Sequence, residues 1–238
     1  TSGIPDGSGT ALVFSSTDLI KWDYLGPLFS TDIKAYPQVG PIWELPVLLP
    51  LDTGRDGRPR HWFGINSHGA GAVVEIYYWI GVWDAATGQF TPDHPEPRLM
   101  DIGDRKFTGP SGMVDPVTGR SILFTITQGE TTRQQEAESG WAHNGGLPLS
   151  LWLGDDDQLR FAPLEELASL RGEPLIDVAN IRGSEAQTLL APVKGDMLEL
   201  ELVLDAAQLA GSSKTGSLEL ELRKNPSATE LTKLRLQP

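Results

Sequence analysis

The sequence contains no cysteine. This absence excludes a disulfide framework, a zinc site with thiolate ligands and a thiol nucleophile. A chain of 238 residues is nevertheless long enough to bury an apolar core as one large domain or two smaller ones. Folding therefore requires no disulfide. The absence of cysteine does not determine the cellular compartment of the protein, and an extracellular location is compatible with this absence.

The sequence also lacks an excess of positive charge and a long apolar run. Its 19 Lys and Arg stand against 32 Asp and Glu, a net charge of −13, which is the wrong sign for binding phosphate backbones or anionic lipid. No apolar stretch approaches the roughly 20 residues of a membrane span. We therefore expect neither nucleic acid nor a membrane as a partner. Residues 1–6 resemble neither a signal peptide nor a natural start, so we expect a chain cut from a longer protein.

Glycine and proline are abundant instead, with 26 and 18 residues spread along the chain. This composition disfavours a helical bundle and indicates many short elements joined by turns. Short apolar and aromatic clusters lie between the turn residues, as is typical of β-strands. We predict an all-β protein with strands over residues 11–14, 43–49, 62–65, 73–83, 121–127 and 147–153.

A five-residue formula, Asp-x-x-Thr-Gly, occurs twice, at residues 84–88 and 115–119. The Asp side chain can cap the turn and the Gly can adopt a positive φ, so each copy predicts a hairpin between two strands. Repeated hairpins, together with Trp-Asp dipeptides at residues 22–23 and 83–84, fit radially repeated four-stranded sheets. An ordinary all-β sandwich is an equal alternative at this point.

The character of the sequence changes after residue 162. Residues 163–172 have Pro at the start, acids in the first turn and Gly at the end, which predicts a short connecting helix. Beyond it, Leu alternates with mostly Glu over residues 198–204 and 218–222. This alternation predicts a half-buried antiparallel sheet. We place a domain boundary near residue 184.

Glu44 is the clearest candidate for chemistry, because it is a single carboxylate in the otherwise apolar stretch 40–51. Burial beside Trp43 and Leu45 would disfavour its ionised form, as a general acid near neutral pH requires. Isolated acids in strands are, however, usually solvated. On the local sequence alone, the preferred interpretation is a Glu on an edge strand that points to water.

The other polar candidates predict little chemistry. The four histidines lack the spacing of metal ligands, so we expect no metal site and no cofactor. Ser111 lies in a Gly-Pro-Ser-Gly stretch without the spacing of a nucleophile elbow, which predicts a turn. The three Asp at 155–157 fit a solvated hairpin turn, and the polar tract 128–139 predicts an exposed loop. The four histidines without the spacing of metal ligands are His61, His68, His94 and His143.

Seven segments form an ordered series at residues 16–28, 43–46, 79–84, 90–93, 101–103, 114–116 and 140–142. In order and spacing this series resembles the β-fructosidases of glycoside hydrolase family 32, which includes invertases, inulinases, levanases and fructosyltransferases. Any one segment is weak, and the resemblance rests on the series.

The resemblance implies a five-bladed β-propeller followed by a β-sandwich, each present in part. The domains would be a partial propeller at residues 1–162, a linker with the short helix at 163–183 and the start of the sandwich at 184–238. The resemblance also implies a retaining hydrolase of β-fructofuranosides such as sucrose, levan or inulin. The partner would be a fructose-containing oligo- or polysaccharide.

Glu44 takes the acid/base role in this resemblance. Residues 43–46 match the family's W-E-C-P motif, with Leu45 in the position of Cys. The nucleophile and stabiliser motifs of the family have no counterpart here and would precede the first residue, so the chain alone is expected to be inactive. Trp43 and Trp141 are candidate aromatic walls for a sugar, with packing between blades as the alternative for each.

Two departures from the family pattern leave a second function open. The D-F-Y-A-P segment corresponds most nearly to residues 106–110, which lack the Asp and Tyr that often line the fructose site, and Val47 replaces a frequent Asp. The alternative is a non-catalytic, carbohydrate-binding propeller of the same descent. Another five-bladed glycosidase class, such as an arabinanase, accounts less well for residues 43–46 and 140–142.

Overall fold

The computed structural model describes residues 7–101, 103, 105–129, 131–195, 197–205, 218–222 and 232–236. The chain divides into two compact units, Thr1–Leu167 and Ala168–Pro238. The first unit is built mainly of strands, which confirms the predicted β-rich class. Among the described residues, no helix has the length and apolar character that crossing a bilayer would require.

The first unit begins with an antiparallel strand pair and continues with two five-stranded antiparallel sheets. The pair consists of β1 (Thr10–Ser15) and β2 (Asp23–Ser30). The first sheet contains β3 (Ile42–Thr53), β4 (Pro59–His68), β5 (Ile76–Asp84), β6 (Gln89–Pro92) and β7 (Arg98–Leu99). The second sheet contains β8 (Thr108–Val114), β9 (Ser121–Thr127), β10 (Asn144–Gly145), β11 (Leu149–Leu153) and β12 (Leu159–Pro163).

Each sheet is an antiparallel meander of four main strands. The first sheet runs β3-β4-β5-β6, with the short β7 beside β5. In the second sheet, β9 pairs with β8 and β11, β11 pairs with β12, and the short β10 lies beside β9. Neither meander closes on itself within the residues that the structure describes.

The first sheet has a buried apolar cluster on each face, because successive side chains of a strand point to opposite sides. One cluster joins the two sheets and contains Leu49, Trp62, Ile76, Tyr78, Ile80, Met100, Leu123, Leu149, Leu151, Leu153 and Leu159. The other contains Leu28, Val39, Trp43, Phe63, Ile65, Trp79 and Phe90. The adjacent residues Trp62 and Phe63 therefore belong to different clusters, and β4 is buried on both sides.

Both Asp-x-x-Thr-Gly turns form the predicted hairpins. Asp84 accepts hydrogen bonds from the backbone N–H of Ala86 at 2.9 Å and from the Thr87 hydroxyl at 2.8 Å. The copy that starts at Asp115 repeats both contacts. The closing glycines have φ values of 70° and 74°. These hydrogen bonds, the hydroxyl one foremost, hold the pKa of both Asp side chains below the usual value.

Two loop predictions in the first unit are wrong. Residues 128–139 contain a short helix, α1 (Arg133–Ser139), which begins at reciprocal hydrogen bonds between Thr132 and Gln135. This capping box satisfies backbone donors that the polar composition alone would leave to water. Residues 109–112, predicted as a turn, belong to β8, where the ladder to β9 shifts its register.

The short helix predicted over residues 163–172 forms with a tighter geometry than expected. The structure has a 3₁₀ helix at Glu165–Leu170, where the two units divide. The acidic first turn is present, and the six residues make about two turns of the tighter helix. In its described residues the second unit also contains α2 (Gly183–Leu190), β13 (Leu218–Leu222) and β14 (Thr232–Leu236).

The Leu/Glu alternation has two different outcomes. Strand β13 pairs with β14, and its Leu side chains are partly buried while its Glu side chains are exposed, which confirms the prediction for residues 218–222. Residues 198–204 do not form a strand. No partner strand from the described part of the chain accepts their backbone hydrogen bonds, so alternation alone is insufficient there.

Gly64 provides a test of the packing between the sheets. A Cβ at this position would lie 2.0 Å from the ring of Trp62, which is fully buried. Because the ring has no room to move, we expect Gly64→Ala to lower the free energy of unfolding by about 3 kcal/mol, measured by denaturation followed by circular dichroism. The control is Gly145→Ala, whose Cβ would have no neighbour within 4 Å in the described part of the chain. Equal stability of the two variants would contradict the packing.

His61 provides a test of pH dependence. Its Nδ1 atom is buried and has no hydrogen-bond partner among the residues that the structure describes, and burial lowers the pKa of the imidazole. The unfolded chain therefore binds a proton more readily than the folded one once the pH falls below about 6.5. We expect the unfolding midpoint to drop between about pH 7.5 and about pH 5.5, and to drop less in His61→Gln. The exposed His94→Gln is the control. An identical pH dependence in both variants would disprove the role of His61.

Candidate active site

Glu44 lies near the beginning of β3, the edge strand of the first sheet. Its side chain is 46% exposed, so the burial that its apolar neighbours suggest is not present, and it faces water as an edge-strand Glu. Between Glu44 and Val47 the pairing of β3 with β4 shifts its register, and Leu45 within this interval has a φ of 49°. With about half of its side chain exposed, the carboxylate of Glu44 is accessible to an incoming molecule beside this interruption of the ladder.

Two side chains of β4 lie next to this carboxylate. Asn66 is the cross-strand partner of Glu44, and its Nδ2 donates a hydrogen bond to Oε2 of Glu44 at 3.5 Å. The Nδ1 of His68 is 3.9 Å from the same oxygen, and the His68 side chain is half exposed. A protonated His68 therefore forms an ion pair with Glu44, whereas Asn66 offers it a neutral donor.

Asn66 also connects the first sheet to the second. Its Oδ1 accepts a hydrogen bond from the backbone N–H of Gly109, at the shifted register of β8, at 3.2 Å. Asn66 is only 4% exposed. Both ends of the amide are therefore used, and the contact with Gly109 determines which end faces Glu44.

A second carboxylate, Glu75, adjoins the end of β4. The backbone N–H of Ser67 donates to the carbonyl oxygen of Glu75 at 3.0 Å. The Glu75 side chain is buried and accepts hydrogen bonds from the Tyr77 hydroxyl and the Arg105 backbone N–H, both at 3.5 Å. Burial, together with the charge of Glu75, raises the pKa of Tyr77. Glu75 thus attaches the segment before β8 to the first sheet instead of facing solvent.

Trp43 is a core residue in this structure. It is 8% exposed, and its ring centroid lies 5.3 Å from that of Trp79 and 5.9 Å from that of Phe29. On another side the backbone of Gly9 approaches the indole so closely that a Cβ there would lie 2.3 Å from the ring. The ring has no free face for a sugar, so the packing alternative describes Trp43 and the expected sugar-stacking wall is corrected at this position.

Trp141 is exposed, with 57% of the residue accessible. It follows α1 and precedes β10, which pairs with the end of β9 at Ile126 and Thr127. The same Ile126 is paired with Thr108, next to Gly109. Trp141 therefore lies in a loop at the same end of the second sheet as Gly109, the residue that contacts Asn66, and its side chain is exposed.

The weaker candidates do not assemble a second site. Within the described ranges, no three His, Asp or Glu side chains are grouped so that they could hold a metal ion. Residues 155–157 form the turn between β11 and β12, as predicted, where Asp156 pairs with Arg160 at 2.7 Å and Asp157 with Arg55 at 3.0 Å. The carboxylates of Asp156 and Asp157 are thus each paired with an arginine.

Asn66 and Glu75 are the polar residues of this region that sequence reasoning missed. Asn66 follows the apolar run 62–65, and a buried amide at the end of such a run is a detectable signal, since buried polar groups need partners. Glu75 stands next to the apolar run of β5 and carries a similar signal. Neither signal identifies the partner, because the partners come from other strands.

The comparisons with known proteins agree on one family. Residues 2–163 match the model of the glycosyl hydrolases family 32 N-terminal domain. The sucrose-6-phosphate hydrolase of Salmonella typhimurium is 31% identical over an alignment of 210 residues that covers 81% of this chain and 41% of that protein. A β-fructofuranosidase of Oryza sativa subsp. japonica, insoluble isoenzyme 6, is 24% identical over 95% of this chain and 40% of its own length.

Solved structures give the same result at the level of fold. Fructan 1-exohydrolase IIa from Cichorium intybus, in complex with 1-kestose, superposes with a TM-score of 0.58 and 25% identity over 71% of this chain and 32% of that chain. The β-fructofuranosidase of Bombyx mori has a TM-score of 0.53 at 24% identity over 68% of this chain and 33% of its own. The chain thus spans about 40% of the length of the curated relatives. Since the family model covers more than half of it, the chain belongs to glycoside hydrolase family 32.

Proposed function

We propose that this chain is part of a hydrolase of β-fructofuranosides and that Glu44 is its general acid/base. The observation that carries the proposal is the accessible carboxylate of Glu44 beside an interrupted edge ladder, within residues 43–46, which match the family's acid/base motif. Relatives named for hydrolysis of sucrose 6-phosphate and of β-fructofuranosides support this class of substrate. The substrate would be sucrose or a fructan of the levan or inulin type.

In the first half of the reaction, Glu44 donates its proton to the glycosidic oxygen. The bond between this oxygen and the anomeric carbon breaks, and its electron pair leaves with the protonated oxygen. A nucleophilic carboxylate forms a new bond to the anomeric carbon, which gives a covalent fructosyl-enzyme. An accessible position at the edge of a sheet allows Glu44 to reach the leaving group.

In the second half, the ionised Glu44 accepts a proton from water. The water oxygen attacks the anomeric carbon, fructose is released and the nucleophilic carboxylate is freed. None of the motifs in this chain supplies that nucleophile. We therefore propose that the 238 residues by themselves do not turn over substrate. Activity is to be measured on the protein expressed from its complete reading frame.

We propose that the two meanders are successive blades of a five-bladed propeller. Each has four main antiparallel strands in which chain neighbours pair, and the fold resembles that of the fructan exohydrolase. The proposed domains are the propeller portion at residues 1–162, a linker at 163–183 and the start of a β-sandwich at 184–238. The pair β13 and β14 supports an antiparallel sheet in the last of these.

A non-catalytic carbohydrate-binding role is the competing proposal. Thr108 occupies the position where the family often has a Tyr that lines the fructose site. Here its side chain is fully buried and donates a hydrogen bond to the carbonyl oxygen of Ile126, so it contributes nothing to a sugar pocket. Binding of fructan without release of fructose by the unaltered protein would favour this role over the hydrolase.

The acid/base role predicts the effect of Glu44→Gln. The amide keeps the size of the side chain but neither donates a proton as an acid nor accepts one as a base. We expect kcat/KM for the best substrate among sucrose, inulin and levan to fall by about 10²- to 10⁴-fold, measured as fructose release. The matched control is Glu96→Gln, an exposed acid before β7. Unchanged fructose release from all three substrates by Glu44→Gln would refute the assignment.

Trp141 is the aromatic residue that we propose to stack against the sugar. Loss of one exposed stacking ring should weaken substrate binding more than the chemical step. We expect Trp141→Ala to raise KM about tenfold while kcat changes less than about threefold, measured by steady-state kinetics. The control is Trp152→Ala on β11, where the ring is also partly exposed. The same KM in both variants would remove Trp141 from the substrate site.

A further inference from the structure

We propose that Asn66 is the positioning residue of Glu44, holding its carboxylate in the orientation that proton transfer requires. The inference rests on the proposed acid/base role of Glu44 and adds the residue that makes the role effective. Asn66 itself exchanges no proton in the proposed reaction. It acts through the hydrogen bond from its Nδ2 to Oε2 of Glu44.

The strand register places the side chains of Glu44 and Asn66 next to each other. Glu44 and Asn66 are cross-strand partners, so their side chains leave the sheet on the same face and lie side by side. Immediately after Glu44 the ladder is interrupted. The backbone that follows Glu44 is therefore less restrained than in a regular strand. A side-chain contact is needed to keep the Glu44 carboxylate in one orientation.

The contact with Gly109 fixes the orientation of the Asn66 amide. An amide has a carbonyl oxygen that only accepts hydrogen bonds and an NH₂ group that only donates them. The Gly109 backbone N–H occupies the oxygen at 3.2 Å, which directs the NH₂ group towards Glu44. Because Asn66 is buried, turning the amide over would leave Gly109 facing a second donor.

No other hydrogen bond in the described part of the chain restrains the Glu44 carboxylate as the one from Asn66 does. Within the described part of the chain, the hydrogen bond that the Glu44 side chain receives comes from Asn66. His68 lies farther away, at 3.9 Å, and pairs with Glu44 only when it is protonated. A neutral donor remains in place in both protonation states of Glu44, and so it suits a group that must alternate between acid and base.

Asn66→Asp tests this role. Asp has the same size and keeps an acceptor for Gly109, but its second oxygen cannot donate to Glu44. We expect kcat/KM for the best natural substrate to fall about 10- to 100-fold. We expect kcat/KM for an aryl β-fructofuranoside with a nitrophenolate leaving group to change less than about threefold. This leaving group departs without protonation, so misplacement of the acid does not slow the step. Damage to the fold would slow both substrates equally.

Further variants keep the test decisive. Asn180→Asp, at an exposed position, adds the same charge and should change neither substrate. Asn66→Ser, whose side chain is too short to reach Glu44, should repeat the substrate-dependent loss if Asn66→Asp fails to fold. In a Glu44→Gln background, Asn66→Asp should cost less than about threefold more.

Three outcomes would overturn the inference: no loss in Asn66→Asp and Asn66→Ser, an equal loss for both substrates, or a full additional loss in the Glu44→Gln background. They are distinguishable from failure of the proposed function. If Glu44→Gln alone leaves the natural substrates unaffected, the acid/base assignment is wrong, and the positioning role is withdrawn with it.

Discussion

The pairing of β3 with β4 is the interaction on which the other features depend. Along this ladder Leu49 faces Trp62 in the core between the sheets, and Glu44 faces Asn66 where the regular pairing ends. Because side chains alternate between the faces of a strand, a shift of one residue would reverse every position. Leu49 pairs with Trp62 on one side of the register shift, and the shift of one residue between Glu44 and Val47 brings the Asn66 amide opposite the candidate acid/base.

The two sheets meet in two ways. Apolar side chains such as Trp62 and Leu123 fill most of the space between them, and near Glu44 polar contacts from the second sheet take over. Asn66 binds Gly109, and Glu75 binds the backbone of Arg105. An apolar core fixes the distance between sheets without fixing the direction of any hydrogen bond. The polar contacts supply this direction, and the one between Asn66 and Gly109 does so beside Glu44.

Sequence patterns predicted the features that depend on close neighbours in the chain. The turns that start at Asp84 and Asp115 form as expected, since every contact in them lies within five residues. The strand at 218–222 also forms. The equally regular alternation at 198–204 does not form a strand, because a strand needs a partner that its own pattern does not specify. Glu44 was found as a candidate from its apolar surroundings and a short motif, but its exposure was not settled by either.

The sequence by itself determined the β-rich class, the positions of most strands, the hairpin turns and the identity of the candidate carboxylate. Only the tertiary structure decided that Trp43 is enclosed by Phe29 and Trp79 while Trp141 remains exposed. It also decided that Asn66 stands between Glu44 and Gly109. The physical reason is the range of the interactions involved. Turn capping and strand alternation act between near neighbours, whereas burial and hydrogen-bond partners depend on strands that are distant in the chain.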